Sequence, residues 1–139
     1  MRAAGLERFL EAQRSTYDQA LGELREGAKR SHWIWFIFPQ IGGLGRSPTA
    51  RSYAIADAVE ANSYLSHPIL GPRLGECTDA MLSWAGRRTA EAILGPVDAM
   101  KFVSSMTLFD AVAEDDRRFA RALAAFNHGE RDPLTLELM

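Results

Sequence analysis

From Leu6 to Leu24 the hydrophobic positions recur at helical spacing. Leu6, Phe9, Leu10, Tyr17, Ala20, Leu21 and Leu24 fall on one side, with Gln13 as a polar gap in the stripe. Glu7, Glu11, Arg14, Asp18 and Arg25 fall on the other, so the spacing predicts one amphipathic helix stopped at Gly27. Trp33 to Phe38 has no clean alternation and reads as either a short buried strand or a buried helical turn, ended by Pro39. Ser47 as N-cap and Pro48 at the first helical position start a second long helix, which is expected to run to about Leu65, before Pro68. A third spans about Ile69 or Pro72 to Trp84, with Leu70, Leu74, Cys77, Met81 and Leu82 inward and Gly86 closing it. A short helix capped by Thr89 stops at Gly95-Pro96. Asp98 is expected to cap a fifth over Ala99 to Ala113, Arg117 to Phe126 forms a sixth, and Asp132-Pro133 starts a terminal turn. No β-hairpin signature or internal repeat appears. The fold class is mainly α: a single compact multihelical domain of about six helices over residues 1–139.

Composition agrees with that picture. Apolar residues make up 47% and charged residues 24%, the balance of a packed domain and not of a disordered chain. The apolar run from Trp33 to Phe38 is far short of the ~20 residues that span a bilayer, and the N-terminus lacks the apolar stretch of a signal peptide. The expected location is cytoplasmic, with no membrane partner. A net charge of −2 gives no global field that recommends nucleic acid. Cys77 is the only cysteine, so an intrachain disulfide is impossible; its plain reading is a small buried hydrophobe. His32, His67 and His128 are scattered over three elements, so neither a metal site nor a cofactor is expected.

Local charge is less even. Between Glu26 and Asp57 no acidic residue occurs, yet Lys29, Arg30, Arg46 and Arg51 do, with His32 beside them. The glycine-rich loop containing Gly43 and ending at Ser47 precedes a helix start, where free N–H groups favour a phosphate or carboxylate; alternatively, the glycines simply permit a turn. Trp33, Trp35, Phe36 and Phe38 could stack a planar ring beside that loop, or could fill the core. On the expected helix from Pro48 to Leu65, Tyr53, Asp57, Glu60 and Tyr64 share a stripe, which is either a solvated face or a source of acid/base chemistry at Glu60. Lys101 interrupts an apolar helix near Ser104, Ser105 and Thr107. Those hydroxyls could bond back to their own helix, or Lys101 could be a cation facing a ligand or a carboxylate, with Glu60 the nominated partner.

The blocks "LERFLEAQ", "HWIWFIFPQIGGLGRS", "EANSYLSHPILGPRL", "KFVSSMTLF" and "RDPLTLELM" together resemble the domain-of-unknown-function family "eighteen-ten" over nearly the whole chain. The His-Trp-x-Trp-Phe-x-Phe-Pro-Gln block, His32 to Gln40, is highly specific. The resemblance implies a compact, mainly helical, bacterial-type domain and carries no established activity. Some members bear a calpastatin-like label; such an inhibitor needs a flexible chain, which this composition contradicts. A looser similarity of plan links such domains to the NADAR group, which resembles N-glycosidases of ADP-ribose-linked substrates.

These readings converge on an expected pocket for a phosphorylated or nucleotide-like small molecule. His32, Trp33, Gln40, Gly43, Arg46, Ser47, Tyr53, Ser104, Ser105 and Thr107 are its expected binding residues. If the domain is an enzyme, Glu60 and Lys101 are expected to act in hydrolysis of an N-glycosidic bond in an ADP-ribose-type ligand. The alternative is a non-catalytic interaction module that docks a protein on the aromatic face around Trp33–Phe38.

Overall fold

The computed structural model describes residues 4–139 and holds ten helices among them. They are α1 (Ala4–Arg14), α2 (Tyr17–Glu26), α3 (Ile34–Ile37), α4 (Pro48–Ser52), α5 (Ala58–Ser66), α6 (Leu70–Leu82), α7 (Ala90–Leu94), α8 (Pro96–Val112), α9 (Arg118–Asn127) and α10 (Pro133–Leu138). The fold is mainly α, as the periodicity implies. Most helix starts and stops fall where the capping signals put them: Ser47 accepts from the Ala50 N–H, Thr89 from the Ala92 N–H, and Gly27 takes the left-handed conformation that closes α2.

Three boundaries differ from expectation. The stripe from Leu6 to Leu24 is two helices, because Thr16 turns its hydroxyl back to the Ala12 carbonyl and its N–H to the Gln13 carbonyl, 3.2 Å. The helix expected from Pro48 to Leu65 stops at Ser52. The chain then extends so that the Ile55 N–H reaches the Gln40 carbonyl and the Gly42 N–H reaches the Ile55 carbonyl, both at 2.8 Å, an isolated parallel bridge between Ile41 and Ile55. Two main-chain bonds and full burial of Ile55 outweigh the helical spacing. Finally, α8 begins at Pro96 behind Gly95, so Asp98 lies in its first turn and caps nothing. The carboxylate of Asp98 is free for ion pairing.

The core is built around α8, against which α3, α5, α7, α9 and α10 pack, while α6 joins α2, α5 and α9. Ser104 through Phe109 are all buried, which is the pattern of a helix enclosed on every side. A train of rings runs through the interior: Phe9 meets Tyr64 edge-on at 5.1 Å, Tyr64 lies 5.4 Å from Phe109, and Phe38 meets Phe102 edge-on at 4.9 Å. The polar gap at Gln13 is a buried junction. Its amide donates to the Phe36 carbonyl at 2.8 Å and to the Tyr64 hydroxyl at 3.2 Å, and its carbonyl accepts from Arg73 at 3.2 Å, so one side chain ties α1 to α3, α5 and α6. Burial pushes the Tyr64 hydroxyl well above the ordinary phenol value, and likewise holds the Cys77 thiol up at about 12, which suits the reading of Cys77 as an unreactive buried side chain. Among the described residues no helix is long and apolar enough to cross a membrane.

Candidate functional site

The segment from Trp33 to Ser47 is positioned by one buried carboxylate and one main-chain bridge. Glu23, on α2, is 3% exposed and accepts five hydrogen bonds. These come from the N–H groups of Arg30 (2.8 Å) and Ser31 (3.1 Å), the Ser31 hydroxyl (2.7 Å), the Trp33 indole (2.9 Å) and Gln19 (3.2 Å). Burial alone would raise this carboxyl. The donors, led by the Arg30 N–H and the Trp33 indole, outweigh it and hold the group down at about 2. Trp33 is thereby fixed as a core residue, fully buried with its N–H satisfied, and α3 follows it as a single helical turn.

Beyond α3, Pro39 leads into the bridge at Ile41, and the loop from Gly42 to Arg46 turns over toward α4. Gly43 has φ +102, a conformation L side chains rarely adopt, and a Cβ there would meet Leu138 at 3.1 Å. A Cβ on Gly45 would stand 2.5 Å from that of Ala50. The glycines therefore let the loop lie between α4 and α10, which is a packing requirement.

Two adjoining depressions open beside this loop. A notch of about 120 Å³ is lined by Trp35, Gln40, Gly43, Arg51 and Tyr53 among others, and among the described residues Arg51 is the only charged one lining it. A larger cleft of about 540 Å³ lies between the loop, α8 and the start of α10, with Gln40, Leu44, Lys101, Ser104, Asp132 and Leu134 among its walls. Gln40 and Gly45 belong to both. Lys101 sits 4.8 Å above the Trp35 ring and 3.6 Å from Asp98, whose other oxygen holds Lys29 at 2.8 Å. Lys101 and Arg131 line the cleft together with Glu91, Glu130 and Asp132. Arg131 is taken up by Asp110 at 2.7 Å and Asp132 by the Ser104 hydroxyl at 2.9 Å, leaving Lys101 as the cation with the loosest partner.

Of the residues singled out in the sequence, Gln40, Gly43 and Tyr53 come together at the notch, and Gln40, Lys101 and Ser104 at the cleft. The others do different work. His32 and Arg46 are exposed and line neither depression, and Trp33 is core. Ser47 is engaged as the cap of α4 at 3.1 Å. Ser105 is fully buried and its hydroxyl has no partner among the described residues, while Thr107 accepts the Asp132 N–H at 2.9 Å. Glu60 and Lys101 share no contact. Glu60 reaches back to the Ala56 N–H at 2.8 Å and pairs with Arg8 at 3.4 Å, while Asp57 accepts the Glu60 N–H at 2.9 Å. That is a variant of the capping box at the start of α5, with the return bond made one residue ahead of the cap, and the stripe of Tyr53, Asp57, Glu60 and Tyr64 is divided between two elements by the extended residues at 54–56. No aromatic face is presented by Trp33–Phe38 either: Trp33, Phe36 and Phe38 are buried, and Trp35 is partly buried against the core.

The sequence reading missed Arg51 and Asp132 as lining residues and Glu23 as the anchor of the segment. For Glu23 a signal existed, since it lies three residues after Ala20 and thus beside the apolar stripe.

Among curated proteins none matches this sequence. Among solved structures, that of the conserved hypothetical protein Rv1873 from Mycobacterium tuberculosis is similar, at 45% identity over 96% of this chain and 95% of that one, with a TM-score of 0.93. The profile of a family described as protein of unknown function (DUF1810) matches residues 3–139, and the chain belongs to that family.

Proposed function

We propose that this bacterial-type, cytoplasmic domain binds a small organic anion of nucleotide-like shape. Its compact charged group would lie at Arg51 in the notch and its flatter, less polar body in the cleft. The observation that carries the reading is the shared rim: Gln40 and Gly45 join the two depressions, with Arg51 on one side and Lys101, poised over Trp35, near the other. Gln40 offers an amide donor and acceptor at the junction, and the apolar walls from Leu44, Val97 and Val103 suit a ring. Binding, and not N-glycosidic hydrolysis through Glu60, is the form proposed, because Glu60 is committed to the α5 start and to Arg8.

The test is thermal unfolding with adenosine monophosphate, ADP-ribose and ribose 5-phosphate. A ligand at ten times its Kd adds about 1.4 kcal/mol to stability, a rise of about 5 °C for a domain of this size. Arg51→Glu and Lys101→Met should each abolish the rise, and Glu60→Gln should leave the response intact. No rise with any member of the panel, or one that survives both substitutions, refutes the site. A second reading, a protein partner seated on the cleft, draws on Val97 and Met100, which are 64% and 72% exposed on its wall. Loss of a binding partner on Met100→Glu, with the small-molecule response unchanged, would favour it.

A further inference from the structure

α10 is attached in an unusual way for a helix that walls a cleft. Thr135 is its only buried residue; Leu134, Leu136 and Leu138 all stand exposed. Apart from Met139 at its end, which packs on the core, and Leu138 against Gly43, what holds it is polar. Asp132, just before the helix, accepts from the hydroxyls of Ser104, at 2.9 Å, and of Thr135 through one carboxylate oxygen, while its N–H donates to the Thr107 hydroxyl at 2.9 Å. Ser104, Thr107 and Thr135 are all buried, so the latch sits in a protected place, yet no apolar side chain of the helix it holds is fully buried. An element with few buried apolar contacts belongs to the low-stability end of a fold and opens before the rest.

The same helix lines the cleft and touches the loop that borders the notch. Asp132, Pro133 and Leu134 form part of the cleft wall, and Leu138 lies against Gly43, on the loop that forms the rim between notch and cleft. We propose that α10 is a detachable strap over the site: docked, it completes the cleft wall and seats the glycine loop, and released, it opens both depressions together. This rests on the reading of those depressions as a ligand site, and extends it to how the site is entered and closed. A ligand in the cleft contacts the docked state alone, so it stabilises docking, and docking in turn tightens the ligand.

Amide hydrogen exchange tests the strap without any ligand. In the native protein the Leu136 and Met139 amides, bonded to the Asp132 and Thr135 carbonyls, should exchange at least ten-fold faster than those in the middle of α8. Asp132→Ala should accelerate them a further ten-fold and the Gly42 and Gly43 amides at least three-fold, with α6 unchanged. Leu138→Ala, which keeps the latch, should accelerate the loop amides and spare the Asp132–Ser104 contact. Exchange of α10 no faster than that of α8, or a loop indifferent to both substitutions, overturns the proposal. Adenosine monophosphate added to the native protein should slow α10. Failure to raise the melting temperature at all counts against the ligand reading alone; a raised melting temperature with α10 exchange unaltered overturns the strap.

Discussion

Replacing Glu23 with leucine tests the account of how the Trp33 segment is held. The substitution is close in volume and adds no strain, but it leaves the N–H groups of Arg30, Ser31 and the Trp33 indole without their acceptor. The indole is fully buried and has no water to turn to, so its loss amounts to about 1–3 kcal/mol. The two main-chain donors lie nearer the surface, and the expected total is about 2–4 kcal/mol, or a melting temperature lower by about 10 °C. In a Trp33→Phe background the indole N–H no longer exists, so the same Glu23→Leu change should cost less by the indole's share. Urea unfolding followed by far-ultraviolet circular dichroism gives all four corners of the cycle. A loss below about 1 kcal/mol, or one identical in both backgrounds, would refute the reasoning. Glu23 also fixes a pH dependence. A carboxyl held at about 2 against an ordinary 4.5 binds its proton less readily when folded, so its stabilisation is present above pH 4.5 and is lost as the pH falls toward 2. The gap corresponds to about 3 kcal/mol at full value; solvent near the exposed Arg30 screens the site, and about half of that is expected. Glu23→Gln should flatten that acid limb.

Other substitutions check the core and its corners. Phe38→Ala should cost about 3–5 kcal/mol in denaturant unfolding, as a fully buried ring, whereas Trp35→Ala, only partly buried beneath Lys101, should cost about 1–2 kcal/mol; equal losses would contradict their different burial. Gly71→Ala should be among the harshest single-methyl additions, about 2–3 kcal/mol, because its Cβ would come within 2.2 Å of the Leu65 carbonyl oxygen, a main-chain atom at the turn between α5 and α6. Normal stability of that variant would mean the corner adjusts freely.

What could be read from the sequence depended on whether the signal was local. Ser47-Pro48, Thr89 and Gly27 carry their structural meaning within three or four residues, and those boundaries stand where they were read. The stop at Ser52 is not local. It depends on Gln40 and Gly42 offering main-chain partners to Ile55 from the far side of a loop, and no window of helical periodicity contains that information. Asp57-x-x-Glu60 did carry a local warning, since an acid three residues ahead of a glutamate is a helix-start pattern, and it competed with a stripe that seemed continuous. Around the cleft, Gln40 and Lys101 line the same depression, but the hydroxyls of Ser104 and Thr107 face Asp132. That contact spans about a fifth of the chain, and the sequence has no way to announce it.

Asp98 lies between two lysines that hold it unequally: Lys29 at 2.8 Å with its side chain 8% exposed, Lys101 at 3.6 Å and 25% exposed. An ammonium drawn away from its only counter-ion normally leaves a stranded carboxylate behind, and that penalty opposes the motion. Here the shorter pair with the more buried Lys29 neutralises Asp98 by itself, so Lys101 turning away would strand no carboxylate. The arrangement works as a charge buffer. Turning Lys101 from Trp35 further into the cleft would therefore meet little electrostatic resistance from the interior, and the charge it carries is the one on this helix that a ligand could draw on at least cost.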